Sequence, residues 1–312
     1  MTRKTAFVSG ASGFIGVNLV KQLELAGWEV TALHRKSSDL AYLSRFAARR
    51  VIGDITDAAA LDAAMPAGVD AVFHVAGNVS FDAAGDAAQT SDNIDGTRNM
   101  VTTALNKKAR RFIQTSSGAS WGLWDNIEIN EDSLSNVDDI PVNYFRTKKL
   151  AEDAALAGLE RGLDVVVVNP AYVVGPFDRV IWGPFVQAVA QGKLEKVGTG
   201  GAAFCHVEEV ARAHIAAFEK GVRGERYLLS GAQASFAQVG ETVASLVGGK
   251  APRASSERDP GITPELFNVM SLNQLIDCSK AIRALDFKPV ALRTMFGDLC
   301  AWMREEGLLD PK

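Results

Sequence analysis

Cysteine and histidine are scarce in this sequence of 312 residues. Its three cysteines, Cys205, Cys278 and Cys300, are far apart, and no two of them form a Cys-x-x-Cys pair. An odd number of isolated cysteines indicates neither a disulfide framework nor a zinc knuckle. The four histidines show no ligand spacing, so we predict that the protein holds no metal ion.

Strong charge and long apolar runs are also absent. The net charge is -4 and the basic residues occur in short pairs, so nucleic acid is not an expected partner. No apolar run is long enough to span a membrane. The apolar stretch after Arg3 and Lys4 ends at Ser9, which is too short for a signal peptide. We therefore expect a cytoplasmic protein that does not bind membranes.

The sequence does contain a regular alternation of short apolar runs with amphipathic patterns. Predicted strands lie at 5–9, 29–34, 50–53, 70–75, 111–115 and 164–168. Predicted helices lie at 14–26, 38–47, 57–65, 90–106 and 143–161, with a further one near 181–191. Such a series of βα units predicts an α/β fold, a doubly wound parallel sheet of the Rossmann type with helices on both faces.

Three glycines spaced three residues apart, Gly10, Gly13 and Gly16, separate the first predicted strand from the first predicted helix. In such a turn the first glycine allows the tight bend, the second lets backbone approach a phosphate, and the third lets the helix pack closely on the sheet. The positive end of the helix then attracts an anion. The alternative is an ordinary glycine-rich turn, but the spacing favours a site for the pyrophosphate of a dinucleotide.

The rhythm of strands and helices changes in the second half of the chain. Residues 171–203 are rich in glycine and large apolar side chains, residues 204–231 return to a strand–helix–strand pattern, and residues 232–312 indicate short helices. We predict a dinucleotide-binding domain formed by residues 1–170 and 204–231. Residues 171–203 and 232–312 are predicted to form a smaller, discontinuous substrate-binding lobe at the carboxyl edge of the sheet.

Tyr144 and Lys148 stand four residues apart on a predicted helix, which places both side chains on one face. A cation beside a phenol favours the phenolate, so we expect Lys148 to lower the pKa of Tyr144 towards neutrality. Ser117 lies just beyond the predicted strand 111–115, where its hydroxyl could donate to a substrate carbonyl oxygen. Each feature alone also suits a surface pair or a turn. Together with the glycine loop, they predict one catalytic crevice.

These features resemble the extended short-chain dehydrogenase/reductase superfamily, in its epimerase/dehydratase-like branch, and most of all the dihydroflavonol-4-reductase-like ketone and aldehyde reductases. The matching motifs lie at residues 8–16, 53–55, 74–77, 93–97, 115–117, 144–148, 169–176 and 205–214. Two positions depart from the usual family pattern. Gly77 stands where alanine is more common, and Asn169 stands where arginine is usual.

The resemblance implies catalytic roles for Ser117, Tyr144 and Lys148, and a supporting role for Asn93. The residues that it implies at the cofactor are Gly10, Ser12, Gly13, Phe14, Ile15, Gly16, Asp54, Ile55, Val75, Ala76, Gly77, Thr115, Tyr144, Lys148, Asn169, Pro170 and Val173. His206 and His214 fall within a family motif, so the resemblance implies structural roles for both histidines.

The choice of nicotinamide cofactor depends on the charge that follows the second strand. An acidic residue there would bind a ribose 2′-hydroxyl, whereas a basic residue would bind a 2′-phosphate. The predicted strand 29–34 runs directly into Arg35 and Lys36, and the first acid, Asp39, comes later. Because Arg35 suits a bidentate contact with phosphate, we predict NADP (NADPH) as the cofactor, with NAD as the alternative.

The leading functional hypothesis is an NADPH-dependent carbonyl reductase, or an alcohol dehydrogenase in reverse, that acts on an apolar or aromatic small molecule. Aromatic residues are expected to line its crevice, although such side chains suit a core equally well. The predicted substrate contacts are Ser117, Trp121, Trp124, Phe177 and Trp182.

Two other functional hypotheses are open. One is a nucleotide-sugar epimerase or dehydratase, but residues 118–120 after Ser117 are Gly-Ala-Ser and lack the Asp-Glu pair of the dehydratases. The other is a non-catalytic NAD(P)-binding regulator, which the presence of both Tyr144 and Lys148 disfavours. The sequence also leaves a homodimer open.

Overall fold

The computed structural model describes residues 3–310. Its strands are short, and the early ones alternate with helices along the chain. In order they are β1 (Thr5–Ser9), β2 (Glu29–His34), β3 (Arg49–Ile52), β4 (Ala71–His74), β5 (Arg111–Thr115), β6 (Glu128–Ile129), β7 (Val165–Pro170), β8 (Tyr172–Val174), β9 (Lys196–Val197), β10 (Gly201–His206), β11 (Arg226–Leu229), β12 (Ala232–Ser235), β13 (Arg253–Ala254) and β14 (Leu275–Ile276).

The helices arise mainly from stretches whose apolar residues recur on one face. In order they are α1 (Phe14–Leu25), α2 (Ala58–Ala64), α3 (Asp86–Thr90), α4 (Gly96–Asn106), α5 (Asn143–Leu156), α6 (Trp182–Ala190), α7 (Val207–Glu219), α8 (Phe236–Val247), α9 (Pro264–Met270), α10 (Ser279–Leu285) and α11 (Leu292–Glu305). A π-helical segment, Ser91–Asp95, joins α3 to α4 without a break.

Within residues 3–310 the central sheet has seven strands in the order β11-β7-β5-β4-β1-β2-β3, and every neighbouring pair is parallel. From β1 the chain adds β2 and β3 on one side of the sheet, and from β4 it adds β5, β7 and β11 on the other side. The direction in which strands are added therefore reverses between β1 and β4. Ligands of doubly wound sheets bind at this reversal, beside the carboxyl ends of the strands. The predicted Rossmann-type sheet is confirmed.

The strand β7 shows why the sheet is covered on both faces. Its residues are all buried because valines fill both sides of the strand. Val166 and Val168 pack with apolar residues of α1 and α7, whereas Val165 and Val167 pack with residues of α2, α4 and α5. The continuous β-branched run at 165–168, within the strand predicted at 164–168, therefore forms the doubly buried strand that its composition predicts.

The segments that follow β7 build a second apolar core beside the sheet. A small sheet has the order β12-β10-β8, and its Phe204 packs with Trp182 of α6, Phe236 of α8 and Phe296 of α11. The strand β10 pairs with β8 and β12, so it belongs to this small sheet. The next elements of the chain, α7 and β11, instead contribute residues to the apolar core of the central sheet. The division of the chain into a dinucleotide-binding domain and a substrate-binding lobe stays a prediction.

The predicted helix at 38–47 is wrong. The structure has turns there and one 3-10 turn at Leu43–Arg45. The carboxylate of Asp39 accepts a hydrogen bond from the amide of Ala41 at 2.9 Å, which closes a local turn and competes with helix formation.

Within residues 3–310, no helix combines the length and the apolar character that crossing a membrane requires.

The fit of α1 against the glycine turn gives a stability prediction. A Cβ added to Gly16 would lie 2.0 Å from the carbonyl oxygen of Gly10, whereas one added to Gly297 in α11 would meet no atom within 4 Å. We expect Gly16→Ala to lower the free energy of unfolding by about 1–3 kcal/mol because the turn is overpacked.

Gly297→Ala is the matched control and should raise the free energy of unfolding by about 0.5–1 kcal/mol, because alanine favours a helix interior. Urea denaturation of both variants measures the two effects. Equal stability of Gly16→Ala and the wild type would contradict the close approach of α1 to the turn.

Candidate active site

The predicted cofactor residues converge on the carboxyl edge of the central sheet. Each group follows or ends a different parallel strand, and most of these residues are partly exposed there. They are Gly10, Ser12, Gly13, Phe14, Ile15 and Gly16 after β1, Arg35 and Lys36 after β2, Asp54 and Ile55 after β3, Val75, Ala76 and Gly77 after β4, Thr115 at the end of β5, Asn169 and Pro170 at the end of β7, and Val173 in β8.

The glycine turn has the geometry of a phosphate cradle. Gly10 has a φ of +67°, and a Cβ added to it would lie 2.6 Å from the backbone nitrogen of Ala76. Gly13 is the N-cap of α1, and no side chain among the described residues caps that helix end. Backbone is thus accessible at the positive end of a helix, which suits the pyrophosphate of a dinucleotide.

A pocket of about 530 Å³ lies beside the turn after β2 and is lined by Arg35, Lys36, Ser37, Ile52, Gly53, Asp54, Asp57 and Ala60. Both basic side chains of this pocket are exposed. The first acid after β2, Asp39, is instead paired with Arg179 at 3.1 Å. Asp57 caps α2 through its carboxylate, and Asp54 accepts a hydrogen bond from Thr56.

Ser117 and Tyr144 meet at the centre of the same edge. Tyr144 lies in the first turn of α5, and its phenol forms a hydrogen bond with the Ser117 hydroxyl. Burial raises the pKa of Tyr144 above its ordinary value, and the hydrogen bond with Ser117 opposes that shift. The prediction that Lys148 lowers this pKa is therefore wrong, because desolvation of the phenolate dominates. Tyr144 keeps its proton at neutral pH.

Lys148 is buried and faces the end of β5. Its ammonium donates a hydrogen bond to the carbonyl oxygen of Thr115 at 3.0 Å. Burial lowers the pKa of Lys148 to about 8, while the carboxylate of Glu152 opposes that shift. A Cβ added to Gly77 would lie 3.8 Å from the Lys148 nitrogen, so the glycine leaves an open space beside the ammonium, which alanine would fill in ordinary contact.

Asn93 is held inside the π-helical segment that precedes α4. Its amide nitrogen donates to the carbonyl oxygen of Asn78 and to the Thr147 hydroxyl, both at 3.0 Å. Its side-chain oxygen accepts the backbone N–H of Asn78 at 2.7 Å. Asn93 therefore ties the chain after β4 to the helix that carries Tyr144 and Lys148, which fits a supporting role.

A buried chain of hydrogen bonds connects the cofactor edge to Asn93. The amide of Ala76 donates to the Ser9 hydroxyl, and Ser9 lies 2.7 Å from Nδ1 of His74. On the other side, Nε2 of His74 lies 3.1 Å from the hydroxyl of Thr97, which donates to the carbonyl oxygen of Asn93. Burial lowers the pKa of His74 to about 3, so the ring is neutral, with its proton on Nε2.

His206 and His214, the two histidines with predicted structural roles, form hydrogen bonds within the fold. Nδ1 of His214 faces the carbonyl oxygen of Val210 at 2.7 Å and so carries the proton, which leaves Nε2 to accept from the Thr115 hydroxyl. Burial lowers the pKa of His214 to about 4. His206 caps α7 by accepting the amide of Glu208. Among residues 3–310, no cluster of three or more histidine, cysteine or acidic side chains is arranged to hold a metal ion.

A sequence model of the NAD dependent epimerase/dehydratase family matches residues 6–230. The chain belongs to this family. The matched region contains the glycine turn, Ser117, Tyr144 and Lys148. The predictions of an extended short-chain dehydrogenase/reductase and of an NAD(P)-dependent enzyme are thereby confirmed.

Individual proteins resemble this chain over almost its whole length. Sterol demethylase protein B of Methylococcus capsulatus is 30% identical over 98% of this chain and 100% of its own. A putative dihydroflavonol 4-reductase of Synechocystis is 28% identical over 96% of this chain and 95% of its own. The crystal structure of gox2253 superposes with a TM-score of 0.88 at 26% identity, over 99% of this chain and 100% of that one.

The predicted aromatic crevice of this family member needs correction at two positions. Trp121 is 1% exposed and packs with core residues below Ser117, and Trp182 is 4% exposed within the lobe core. Neither side chain faces a substrate. Trp124 is partly exposed, while Phe177 packs on Tyr42 at a ring distance of 5.2 Å. Apolar side chains occur both in a core and in a substrate crevice. The sequence alone therefore does not show which of these tryptophans are buried in the core.

Phe81 and Phe177 are partly exposed aromatic side chains in the loops after β4 and β8. The Phe81 ring lies 5.5 Å from the Tyr144 ring, centre to centre, so the two rings pack beside each other. Phe177 has a φ of +74°, a strained backbone conformation for a bulky residue, in the loop after β8. Strain of this kind persists only where the surrounding packing holds it in place, here against Tyr42 and Trp302.

Sequence analysis missed Glu152, whose hydrogen-bond partners hold the backbone of Ser117. Its side chain is fully buried, and its carboxylate accepts hydrogen bonds from Asn169 at 2.6 Å and from Ser120 at 3.1 Å. Both partners also contact the carbonyl oxygen of Ser117, at 3.2 Å and 2.8 Å. Glu152 thus fixes the backbone of Ser117. Its spacing of four residues from Lys148 is a signal that would have placed it on the same helix face.

The buried carboxylate gives a second prediction. Glu152→Gln should lower the free energy of unfolding by about 1.5–3 kcal/mol, because Asn169 and Arg226 lose hydrogen bonds to a charged acceptor. It should also lower the pKa of Lys148 below about 8, since the carboxylate now opposes the effect of burial. Denaturation and an NMR titration of the lysine side chain measure the two effects.

Asp153→Asn is the matched control, since Asp153 is its neighbour on α5, is half-exposed and pairs with Lys149. We expect this variant to change the free energy of unfolding by about 0.5 kcal/mol or less. A Lys148 pKa that is the same in Glu152→Gln and Asp153→Asn would contradict the electrostatic link.

Proposed function

We propose that this protein is an NADPH-dependent carbonyl reductase for an apolar or aromatic small molecule. The observation that carries the proposal is the hydrogen bond between Ser117 and Tyr144, with the Lys148 ammonium beside them at the carboxyl edge. Two hydroxyl groups facing one crevice suit a carbonyl oxygen, which develops negative charge as it is reduced. The putative dihydroflavonol 4-reductase among the relatives supports a reductase.

The residues of the chain can perform the proton chemistry of this reaction. Ser117 and Tyr144 would donate hydrogen bonds to the substrate carbonyl oxygen. Tyr144, which is protonated at neutral pH, would then give its proton to that oxygen. The glycine turn would hold the pyrophosphate, and Lys148 would bind the nicotinamide ribose. The nicotinamide, when bound, supplies the hydride.

The two directions of the reaction require different protonation states of Tyr144. An acid with a high pKa retains its proton until the substrate oxygen becomes strongly basic, as it does when a ketone becomes an alkoxide. The reverse oxidation needs the phenolate as a base, and burial disfavours the phenolate. At neutral pH the site therefore holds the protonated phenol, which is the form that reduction requires.

The basic pocket after β2 supports NADPH over NADH. Arg35 and Lys36 are exposed at its rim and could contact a 2′-phosphate. The acid that would otherwise bind a ribose hydroxyl, Asp39, is engaged with Arg179. Nucleotide-sugar epimerisation or dehydration is the second candidate, because the chain belongs to the epimerase/dehydratase family.

A substrate screen separates the two candidate functions. The purified protein with NADPH should reduce aromatic ketones or aldehydes, and NADPH consumption reports the reaction. Mass spectrometry of the denatured protein should find no tightly retained NAD. Turnover with nucleotide sugars alone, together with retained NAD, would favour the epimerase.

Tyr144→Phe tests the proposed acid. The substitution keeps the ring, so folding and NADPH affinity should change little, while the rate of reduction should fall by about two to four powers of ten. Steady-state kinetics and fluorescence titration with NADPH measure the two quantities. Tyr227→Phe is the control, because the Tyr227 hydroxyl accepts a backbone amide away from the crevice. Near-normal turnover of Tyr144→Phe would place the proton donor elsewhere.

Arg35→Ala tests the choice of cofactor. Loss of a charge-assisted hydrogen bond should weaken NADPH binding by about 1.5–3 kcal/mol and leave NADH binding nearly unchanged. The control is Arg49→Ala, an exposed arginine at the amino end of β3, far along the strand from the pocket. Calorimetric titration with each cofactor measures the effect. Equal losses for NADPH and NADH would contradict a phosphate contact.

A further inference from the structure

His74 is a fully buried imidazole that the proposed chemistry does not use. It ends β4, and its ring reaches Ser9 at the end of β1 and Thr97 in the first turn of α4. These three residues are at most 1% exposed, so bulk water does not supply their hydrogen bonds. A buried polar group without a partner is costly, so each bond of this set constrains the fold.

The protons of these bonds can be arranged in one way only. The carbonyl oxygen of Asn93 only accepts, so Thr97 donates its single proton to it at 2.6 Å and accepts from Nε2 of His74 at 3.1 Å. Because burial lowers the pKa of His74 to about 3, the ring is neutral, and Nδ1 accepts from the Ser9 hydroxyl at 2.7 Å. The Ser9 oxygen accepts the amide N–H of Ala76 at 3.3 Å. All four bonds therefore point from Ala76 towards Asn93.

Further hydrogen bonds lead from Asn93 to the helix that carries Tyr144. The side-chain amide of Asn93 donates to the Thr147 hydroxyl at 3.0 Å, and that hydroxyl donates to the carbonyl oxygen of Tyr144 at 2.9 Å. Asn93 is 3% exposed and Thr147 is 1% exposed, so these bonds are buried as well. The chain of bonds therefore ends at the backbone of the proposed proton donor.

The other end of the chain of bonds lies at the predicted cofactor edge. A Cβ added to Gly10 would lie 2.6 Å from the nitrogen of Ala76 and 3.0 Å from the carbonyl carbon of Val75, so the turn after β1 touches the chain after β4. Both stretches contain predicted cofactor residues. One set of buried bonds thus joins the backbone predicted to hold the cofactor to the backbone that carries Tyr144.

We propose that His74 is a positioning residue that sets the place of Tyr144 relative to the bound cofactor. Hydride and proton must reach one carbonyl group, and a displacement of about 1 Å can slow such a step by about 10²-fold. Hydrophobic contact is non-directional, whereas hydrogen bonds with one proton arrangement specify a distance and a direction at every step. The assignment rests on the proposed reductase, because it concerns the alignment of that reaction.

Two variants of Thr97 test the assignment. Thr97→Val removes the hydroxyl and keeps the shape, whereas Thr97→Ser keeps the hydroxyl. With NADPH and the best aromatic carbonyl compound of the substrate screen, Thr97→Val should lower kcat by about ten- to a hundredfold. The KM of the carbonyl compound and the Kd of NADPH should stay within about twofold, because the binding groups remain. Thr97→Ser should keep kcat within about threefold of the wild type, and an unchanged kcat of Thr97→Val would overturn the assignment.

A double variant tests whether the connection runs through the His74 ring. Ser9→Ala breaks the chain of bonds on the other side of the ring and should lower kcat to a similar extent. Ser9→Ala combined with Thr97→Val should be no slower than the slower single variant, because the first substitution already breaks the chain. Independent structural effects would add in free energy, so losses in kcat that multiply would contradict the role of His74.

Phe73→Leu is the control for a loss of stability alone. Phe73 is the fully buried neighbour of His74 in β4, and its side chain packs in the core on the opposite face of the sheet. The variant should lower Tm and leave kcat within about twofold of the wild type. A fall in kcat as large as that of Thr97→Val would reduce the effect of Thr97 to stability and overturn the assignment.

The position of Tyr144 can also be followed without turnover. The four tyrosines are labelled with ¹³C, and the signal of Tyr144 is the one that Tyr144→Phe removes. With NADP added, Thr97→Val should shift this ring signal, and Thr97→Ser should leave it in place. If the wild type reduces no carbonyl compound, the proposed reductase fails, while a shift confined to Thr97→Val still supports the positioning role. An unshifted signal in both variants would overturn that role.

Discussion

A single buried carboxylate, that of Glu152, determines how the catalytic edge is assembled. A fully buried charge is costly unless hydrogen bonds and an opposite charge compensate it, and here Asn169, Ser120 and Arg226 do so. These partners come from β7, the turn after β5, and β11, so the compensation draws three neighbouring strands to one point. The same charge opposes the lowering of the Lys148 pKa by burial.

Periodicity and spacing predicted the scaffold because both are local properties. The four valines 165–168 can be buried only in a strand that is covered on both faces, and the glycines of the first turn mark where helix α1 and strand β1 come into close contact. The helix predicted at 38–47 failed because the Asp39 side chain competes for a backbone amide. The core tryptophans and the Tyr144 pKa could not be predicted, since burial depends on residues distant in sequence.

Side-chain contacts join the basic turn after β2 to the loop after β8 and to the second apolar core. Asp39 and Arg179 join the basic turn after β2 to the loop after β8, and Tyr42 stacks between Phe177 and Trp302 of the second core. The exposed ion pair contributes little stability by itself. The aromatic contacts bury more surface, so the strained loop around Phe177 and the basic turn should move as one unit.

The π-helical segment Ser91–Asp95 has a consequence for how this site can change during evolution. A π turn contains one residue more than an α turn, and that extra residue swings Asn93 towards Asn78 and Thr147. Deleting one residue there would restore the regular helix but rotate α3 by about 100° relative to α4. The position of Asn93 therefore depends on the number of residues in this segment as well as on its hydrogen-bond partners, so an insertion or deletion there would displace it.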